Sequence, residues 1–524
     1  MYDILIKNGK VIDGTGSPWF YADVAIKDKK VVKIAKYISE NATTIIDAKN
    51  RFVCPGFIDS HSHSDFPLFI NPKAESKIRM GVTTEVIGQC GVSAAPRSDD
   101  HRDFFGFNLK NVGLTFTSFA EYLEALEENK IAVNIIPLVG HGNIRKQVVG
   151  EDKCAPTTEQ LREMQDMLAQ SLKEGAHGMT TGLIYPPGCY SETDELIALG
   201  HTLNKYNAIY ATHMRNEKSK LLESIEEAIA IGRAANIPIH ISHYKACDEI
   251  NWGLVKDGFK IIENARAEGI DVTLDQYPYI ASSTSLKTLV PQWAHDGGIS
   301  ELRERLENPE IRAKIYKQMS QPTTGIPRCD WVMVSSCTNE HNKKYEGLNL
   351  TEISEIMDCD PVNACLDLLL DEDFNTGMVR FSMCEEDVEH VMKHPLVMIG
   401  SDACCMATKG ILSTGKPHPR SYGTFARVLG RYSLQNNVLP IENAVFKMTG
   451  LPATRFNLSD RGLLKEGFYA DVTIFNPENI MDTATFKDPH QFPTGIDAVI
   501  VNGQLVLDKD VQHEVFPGKV LRRK

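Results

Sequence analysis

The sequence predicts an α/β fold: a (β/α)8 TIM-like barrel, a small β-sandwich domain built from both chain termini, and a long insertion before the last barrel strand. Three observations lead to this prediction. Short β-rich runs alternate with helical patterns through the middle of the chain, which is typical of a parallel sheet. Polar and apolar residues alternate around an Asn-Gly pair near both termini. A long stretch separates the last two β-rich runs.

The two termini are predicted to form one β-domain. Residues 3–13 and 497–508 alternate around Asn8-Gly9 and Asn502-Gly503. Asn-Gly between alternating runs is the strongest short hairpin signal, because both turn residues take a positive φ. Two unrelated hairpins are the plain alternative. The predicted boundaries are 1–52 and 461–524 for the two parts of the β-domain and 53–460 for the barrel.

The barrel strands are predicted from short runs that are rich in apolar and β-branched residues. Amphipathic patterns with helical spacing lie between them, for example over 158–174, 221–235 and 254–267. Strands that alternate with helices in this way predict a closed parallel barrel. The runs cover 52–59, 84–90, 133–139, 178–183, 208–213, 238–243, 270–276 and 396–402.

One connection between barrel strands is much longer than the others. It covers about 281–395, between the last two runs. Loops of such length without structure of their own are uncommon in a compact domain. We therefore expect an ordered, partly helical insertion over the mouth of the barrel.

Composition and charge exclude several classes of protein. The chain has 524 residues, of which 42% are hydrophobic and 24% are charged, so a disordered or fibrous chain is excluded. The net charge of −13 argues against nucleic acid and anionic membranes as partners. The sequence has neither a transmembrane stretch nor a signal-peptide pattern, and its cysteines are scattered, so we expect reduced thiols and a cytoplasmic protein. The oligomeric state is not indicated.

Side chains that bind metals or transfer protons follow several of the predicted strands. Residues i and i+2 of a strand point to the same side, so His61 and His63 can approach one ion together. A barrel brings the C-terminal ends of all its strands to one site. Core packing would explain any one of these histidines alone, but the whole set predicts a metal centre. The set is His61, His63, Cys90, His213, His243 and Asp402.

Longer motifs around these residues resemble a known family. The segment 56–59 that leads into His61 and His63 is similar to the amidohydrolase superfamily of metal-dependent barrels. Four further segments resemble the D-aminoacylases, or N-acyl-D-amino-acid deacylases, and the resemblance runs from end to end of the chain. These segments are Gly-Gln-Cys-Gly at 88–91, Gly-His-Gly-Asn-Ile-Arg at 140–145, His-Met-Arg-Asn-Glu at 213–217 and His-Pro-Arg-Ser-Tyr-Gly-Thr-Phe at 418–425.

The resemblance implies an unusual metal site. Many relatives, such as dihydroorotases and hydantoinases, bridge two metals with a carboxylated lysine at the end of the fourth strand. The fourth strand here, at 178–183, contains no lysine. By resemblance, Cys90, His213 and His243 hold one tight Zn²⁺, and a set of three ligands leaves zinc an open position.

The resemblance also implies a second, weaker or empty metal position, lined by His61 and His63 and bordered by Asp402. Asp402 would take a proton from the attacking water and deliver it to the leaving amine. His61 or His63 would orient the water or stabilise the tetrahedral oxyanion. For Asp402, the plain alternative is a capping residue after the last strand.

The implied substrate, an N-acyl-D-amino acid, carries an α-carboxylate that needs a cationic partner. Arginine offers a bidentate fork for this group. In the resembled family, residues in the corresponding contexts bind the carboxylate; a surface ion pair or a core tyrosine is the plain alternative. The candidates are Arg420 and Lys245, with Tyr185 and Tyr277 as hydroxyl donors.

The resemblance thus predicts zinc-dependent hydrolysis of N-acyl-D-amino acids to a carboxylate and a free D-amino acid. A hydrolase of cyclic amides is one alternative, which the missing lysine argues against. A D-amino-acid-specific dipeptidase differs only in the acyl group, and a non-catalytic barrel conflicts with the intact ligand set. The sequence leaves open the preferred side chain, the acyl group, and whether His141 and Arg145 support the site or only the fold.

Overall fold

The computed structural model describes residues 1–97, 114, 116–321 and 325–523. Over these ranges, no helix is long and apolar enough to cross a membrane. The strands are β1 (Tyr2–Val11), β2 (Phe20–Lys27), β3 (Lys30–Ala35), β4 (Ala42–Asp47), β5 (Phe52–Pro55), β6 (Phe57–Asp59), β7 (Val82–Ile87), β8 (Asn134–Pro137), β9 (Val139–Gly140), β10 (Gly178–Gly182), β11 (Ile209–His213), β12 (Ile239–Ile241), β13 (Val272–Gln276), β14 (Ser282–Ser285), β15 (Val332–Ser336), β16 (Gly377–Arg380), β17 (Val397–Ile399), β18 (Val472–Phe475), β19 (Ile496–Val501), β20 (Gln504–Asp508) and β21 (Val511–Gln512).

The helices form where capping residues and amphipathic spacing agree. Thr157 caps the fifth helix in a reciprocal capping box with Gln160, and the seventh helix ends at Asn236 in the left-handed conformation. The helices are α1 (Pro67–Ile70), α2 (Glu75–Arg79), α3 (Phe119–Glu128), α4 (His141–Val148), α5 (Thr158–Lys173), α6 (Thr193–Lys205), α7 (Leu221–Ala235), α8 (Leu254–Ala267), α9 (Ile299–Glu307), α10 (Pro309–Met319), α11 (Leu350–Met357), α12 (Pro361–Asp371), α13 (Glu385–Lys393), α14 (Arg420–Arg427), α15 (Ile441–Met448) and α16 (Gly450–Arg455).

Strands from both termini form one nine-stranded sheet, in the order β21-β20-β19-β18-β5-β1-β2-β3 with β4 paired to β1. The sheet curls back on itself, because Lys30 at the start of β3 forms a bridge with Tyr469 just before β18. Its inner face encloses an apolar cluster with residues from both termini. The predicted β-domain is therefore built from both ends of the chain, as one connected sheet.

The two Asn-Gly pairs have different structures. Asn502-Gly503 forms the expected turn between β19 and β20. Asn8-Gly9 does not form a hairpin turn: it lies inside β1, where the register with β2 shifts between Ile6 and Gly9. Asn8 has a φ of 58°, so the positive φ that would suit a turn here accommodates a bulge. The prediction of an N-terminal hairpin at this pair is wrong.

The first predicted barrel run is also divided. β5 belongs to the terminal sheet, where it pairs with β1 and β18, and β6 begins the barrel beside β7. Gly56 separates them, and a Cβ there would lie 2.2 Å from Thr83. One apolar cluster runs across both the sheet and the barrel, so the domain boundaries stay a prediction.

The barrel consists of parallel strands in two hydrogen-bonded groups, β6-β7-β8 and β9-β10-β11-β12-β13-β17. β8 and β9 are consecutive parts of one barrel strand, and Leu138 between them still donates to the Ile87 carbonyl. The barrel closes between its first and last strands, where the Asp402 amide donates to the His61 carbonyl over 2.8 Å. Each predicted barrel run therefore contains a barrel strand.

The insertion is ordered over most of its length. β14, β15 and β16 form an antiparallel sheet, α9–α12 pack around it, and the unit has its own apolar core. α13 returns the chain to the barrel beside β17. β14 lies at the barrel mouth, because the Ser283 carbonyl accepts a hydrogen bond from Arg420. The expectation of a partly helical insertion at the mouth is confirmed.

Candidate metal centre

The six predicted metal and acid–base residues lie together at the C-terminal ends of the barrel strands. His61 and His63 follow β6, and Cys90 follows β7. Two groups have candidate ligand atoms within 4.8 Å of one another, and Cys90 belongs to both. The first group is Cys90, His213 and His243; the second is His61, His63, Cys90 and Asp402.

Three of these residues have a left-handed backbone that non-glycine residues rarely adopt. The φ angles are 53° at Cys90, 36° at His243 and 51° at Asp402. Such a conformation costs of order 1–3 kcal/mol per residue and persists only where the surroundings impose it. Directing these three side chains into the mouth of the barrel therefore lowers the stability of the fold.

Carboxylates orient two of the imidazole rings. His61 Nδ1 is 3.1 Å from Asp275 Oδ2, and His243 Nδ1 is 2.9 Å from Glu217 Oε1. When Nδ1 donates to a carboxylate, the lone pair lies on Nε2. Both Nε2 atoms are 3.4 Å from the Cys90 sulfur. In the neutral ring form their lone pairs would face the same small space as the sulfur, as metal ligands do, and in the protonated form each Nε2–H would point to the sulfur.

Lys245 competes for the same nitrogen of His243. Its Nζ lies 2.8 Å from His243 Nδ1 and donates to Glu217 Oε1 over 2.6 Å and to the His243 carbonyl over 2.8 Å. A metal on Nε2 selects the ring form whose Nδ1–H donates to Glu217. Lys245 then neutralises the carboxylate that orients this histidine.

His213 is buried, and its Nε2 lies 3.6 Å from Glu217 Oε2, beyond hydrogen-bond distance. Within the described part of the chain, neither ring nitrogen of His213 forms a hydrogen bond, although the side chain is only 5% exposed. Buried polar atoms almost always have partners. A metal ion between His213, His243 and Cys90 would supply the missing partner.

Cys90 is held as a thiolate, the form that binds metals. Burial raises the pKa of the thiol, but the positive charges of His61 and His243 outweigh it and keep the pKa well below its ordinary value. Burial and Lys245 lower the pKa of His243, but Glu217 and the Cys90 sulfur outweigh them and raise it to about 9. The Cys90 sulfur is therefore negatively charged, and the imidazole rings of His61 and His243 lie next to it.

Asp402 lies between the histidine pair and an arginine. Its Oδ1 is 3.0 Å from His63 Nε2 and 3.6 Å from His61 Nε2, and its Oδ2 is 2.8 Å from Arg420 Nη1. Burial raises the pKa of Asp402, but Arg420 and His63 lower it well below the ordinary value. Asp402 is therefore ionised.

The four predicted substrate-binding residues surround this centre. The Arg420 guanidinium lies 4.6 Å from the centre of the Tyr277 ring, and the Tyr185 ring centre is 5.1 Å from that of His213. The Tyr185 hydroxyl is 3.1 Å from Thr284 Oγ1 on β14. Among the described residues, the buried Tyr277 hydroxyl has no hydrogen-bond partner. Together with Lys245, these side chains form a cationic and hydroxyl-bearing wall.

His141 and Arg145 belong to a different buried cluster. His141 Nε2 is 2.8 Å from Glu195 Oε1 on α6, and Arg145 Nε is 3.3 Å from the same oxygen. Arg145 also donates to the Cys154 carbonyl. These contacts join α4 to α6, so the structure supports a role in the fold for both residues.

A buried lysine beneath the site was missed by sequence reasoning. Lys77 on α2 donates to Asp59 over 2.7 Å, and to Ser401 Oγ and the Ala403 carbonyl over 2.8 Å each. Asp59 in turn accepts from the Ser401 amide over 2.8 Å. Glu85 lies 3.4 Å from the same ammonium. These charges fix the residues on either side of position 402.

Two carboxylates that orient the histidines were also missed. Asp275 lies in β13, near the C-terminal end of the strand, where the reactive groups of the barrel meet. Its position near a strand end could therefore have identified it from the sequence. Glu217 is part of the His-Met-Arg-Asn-Glu motif. Asp59 ends the segment 56–59 that was noted from the sequence, but Lys77 carries no such signal, because its contacts with Ser401 and Ala403 depend on the closure of the barrel.

Comparison with known proteins agrees with this geometry. The model of the Amidohydrolase family matches residues 44–319 and 340–507. The chain belongs to the amidohydrolase family. An N-acyl-D-glutamate deacylase of Alcaligenes xylosoxydans xylosoxydans is 35% identical to this amidohydrolase, over 99% of this chain and 96% of its own length. The motif resemblance to the D-aminoacylase branch is thereby confirmed.

Solved structures extend the match to three dimensions. The N-acyl-D-glutamate deacylase of Bordetella bronchiseptica, complexed with zinc and a phosphonate that mimics the tetrahedral intermediate, has a TM-score of 0.85 and 33% identity, with 100% of both chains covered. A D-aminoacylase with a binuclear metal center, described by one-metal activation and second-metal attenuation, matches with the same score, identity and coverage. This amidohydrolase thus has the fold of both proteins over its whole length.

Proposed function

We propose that this amidohydrolase uses zinc to hydrolyse the amide bond of N-acyl-D-amino acids, releasing a carboxylate and a free D-amino acid. The observation that carries the proposal is the convergence of Cys90, His213 and His243 beside an ionised Asp402. The absence of a lysine from β10 argues against the cyclic-amide alternative. The full-length likeness to N-acyl-D-amino-acid deacylases supports the substrate class.

The donor atoms fit zinc. One thiolate and two imidazoles are ligands that zinc prefers, and three protein ligands leave a position open, as in catalytic zinc sites. We assign Cys90, His213 and His243 to the tight site and His61 and His63 to a weaker second position that shares Cys90. Zinc at the tight site supplies a Lewis acid for the amide carbonyl and lowers the pKa of a coordinated water molecule.

Asp402 is the proposed general base and acid. Its Oδ1 atom accepts the proton of the attacking water and then delivers it to the nitrogen of the leaving amine. The hydrogen bond from His63 Nε2, at 3.0 Å, fixes the position of this oxygen. His61 or His63 also orients the water or stabilises the oxyanion.

The cationic wall is the proposed site of the α-carboxylate. Arg420 forms an ion pair with Asp402 and donates a hydrogen bond to the Ser283 carbonyl, so the substrate carboxylate competes with Asp402 for the guanidinium. The Tyr277 hydroxyl, which has no hydrogen-bond partner within the described ranges, adds a donor, and Tyr185 packs beside His213. Lys245 is bound to Glu217, so it contributes positive charge to the wall and support to His243.

A substrate panel tests the proposal. We expect N-acetyl-D-amino acids to be hydrolysed, N-acetyl-L-amino acids, hydantoin and dihydroorotate to be left intact, and turnover to require zinc. When the α-carboxylate and the acyl carbonyl are both fixed, the two enantiomers differ only in which of the side chain and the hydrogen on the α-carbon faces the wall of the site. We therefore expect strong discrimination between enantiomers. D-dipeptides in the same panel distinguish a dipeptidase. Hydrolysis of a cyclic amide, or of the L-enantiomer in preference, would refute the proposal.

A further inference from the structure

We propose that Thr180, on the fourth barrel strand, is a positioning residue that sets the affinity of the metal site by holding the loop of Cys90. The inference rests on the proposed role of Cys90 as a metal ligand. Thr180 is fully buried. Its hydroxyl donates to the Gly88 carbonyl over 2.5 Å and accepts from the Gly91 amide over 3.0 Å. One side chain therefore binds the backbone on both sides of the cysteine.

The contact crosses the interior of the barrel. β8 and β9 lie between β7 and β10 in the barrel order, so Thr180 reaches the loop after β7 without being its neighbour. In a barrel, side chains that point inward from alternate strands meet in this way. The fourth strand thus contributes a hydroxyl that fixes the ligand of another strand.

The loop needs such a support because its backbone is strained. Gly88, Cys90 and Gly91 have φ angles of 78°, 53° and 79°, and a left-handed conformation is unfavourable for cysteine. Relaxation of Cys90 toward an ordinary backbone would swing its sulfur away from the imidazoles. Hydrogen bonds on both sides of the cysteine oppose that rotation.

Close packing keeps water from replacing the hydroxyl. A Cβ at Gly182 would lie 2.1 Å from the Cys90 carbonyl oxygen, and a Cβ at Gly140 would lie 2.5 Å from that of Gly91. The neighbouring strands therefore touch the loop backbone directly. A water molecule needs room and several polar partners, so loss of the Thr180 hydroxyl leaves the Gly91 amide without a partner.

The chain offers a matched control at the next residue. Thr181 is equally buried, but its hydroxyl contacts Tyr210 at 2.9 Å and Thr212 at 2.8 Å. Successive side chains of a strand point to opposite faces. Thr181→Val and Thr180→Val therefore remove the same group from the same strand, and only the second touches the Cys90 loop.

The test is a Co²⁺ titration of the metal-free, full-length protein, followed by competition with Zn²⁺. The thiolate-to-cobalt absorption band reports whether the Cys90 sulfur is bound. We expect Thr180→Val to weaken metal binding by roughly 10–100-fold, as is common for residues that support a ligand, and to reduce the band. Thr180→Ser should restore wild-type affinity, and Thr181→Val should retain it.

Thr180→Ala, which removes the hydroxyl without adding a buried methyl group, is measured beside the valine variant in case the latter does not fold. Wild-type affinity and an unchanged band in the folded hydroxyl-free variants would overturn the inference, as would an equal loss in Thr181→Val. Cys90→Ala must lack the band altogether. If Cys90→Ala keeps it, the proposed ligand set itself is wrong.

Discussion

Two loops at the barrel mouth present reactive side chains, and different kinds of contact hold them. The loop of Cys90 is fixed by neutral groups, namely the Thr180 hydroxyl and a close glycine of the fourth strand. The loop of Asp402 is fixed by buried charge, because Lys77 and Asp59 bind the residues on both sides of it. The first support joins two strands within the barrel, whereas the second also joins its first and last strands.

The difference follows from what each side chain must do. The Thr180 hydroxyl binds backbone atoms on both sides of Cys90, so this support leaves the sulfur itself free to bind a metal ion. Removing a neutral partner leaves an unsatisfied polar group at about 1–3 kcal/mol. Removing one partner of a buried ion pair costs about 3–5 kcal/mol. The Asp402 side therefore couples chemistry to the stability of the fold more strongly than the Cys90 side does.

The largest effect is expected from Cys90→Ala, which removes the ligand shared by both metal positions. We expect the tight metal and the activity to disappear together, while the wild type retains one zinc through dialysis. Elemental analysis and the deacylase assay measure both. Cys54→Ala is the matched control, because Cys54 is also a buried thiol but lies in β5, away from the metal centre. Two equally tight ions in the wild type would contradict the model of one tight site.

Asp402→Asn tests the other loop without changing its shape. The amide cannot accept the proton, so kcat should fall by ~10²–10⁴-fold, as is typical of general acid–base catalysis. Zinc content should be largely retained, because Asp402 is assigned to proton transfer. Turnover and metal content are measured on the same preparation, and near-normal turnover would remove Asp402 from the mechanism.

Lys77→Met tests whether the Asp402 side supports the fold. It leaves Asp59 and Glu85 buried without their cation, so the free energy of unfolding should fall by about 3–5 kcal/mol. Adding Asp59→Asn should recover part of this loss. Urea unfolding of the metal-free protein measures both. Thr180→Val should cost less, about 1–3 kcal/mol, and an equal loss in the two variants would remove the distinction between the loops.

The smallest effect is expected from Arg420→Lys, which keeps the charge but loses the planar fork. A carboxylate that is held loosely also misplaces the amide carbonyl, so kcat/KM should fall by up to ~10²-fold. The readout compares N-acetyl-D-amino acids with their carboxamides. The wild type should strongly prefer the acid, and the variant should narrow that preference. Equal rates for the acid and the carboxamide in the wild type would show that the wall does not bind a carboxylate.

The sequence predicts the site better than its supports. The rule that a barrel gathers its strand ends is sufficient to bring His61, Cys90 and Asp402 together, because each follows its own strand. No local pattern places Lys77 beneath them, since α2 meets the last strand only after the barrel closes. Glu217 lies in a motif noted from the sequence, but its role depends on the direction of one imidazole ring.

Local sequence signals also fail where the same positive-φ conformation can form either a bulge or a turn, because tertiary contacts decide between the two. Asn8-Gly9 and Asn502-Gly503 are the same dipeptide with the same tolerance for positive φ. The first lies inside a long strand that pairs with three neighbours, so its extra length becomes a bulge. The second connects two short strands and becomes the turn.

The closure of the barrel has a consequence for how the protein is made. The His63 and Asp402 side chains that meet in the site are 339 residues apart in sequence, and the backbone bonds that seal the barrel come from the same two segments. Contacts of such separation form late, after much loop entropy has been lost. A nascent chain can therefore gather Cys90, His213 and His243 before His63 meets Asp402. Activity should appear only after the last strand has left the ribosome, so an incomplete chain carries metal ligands but no working hydrolase.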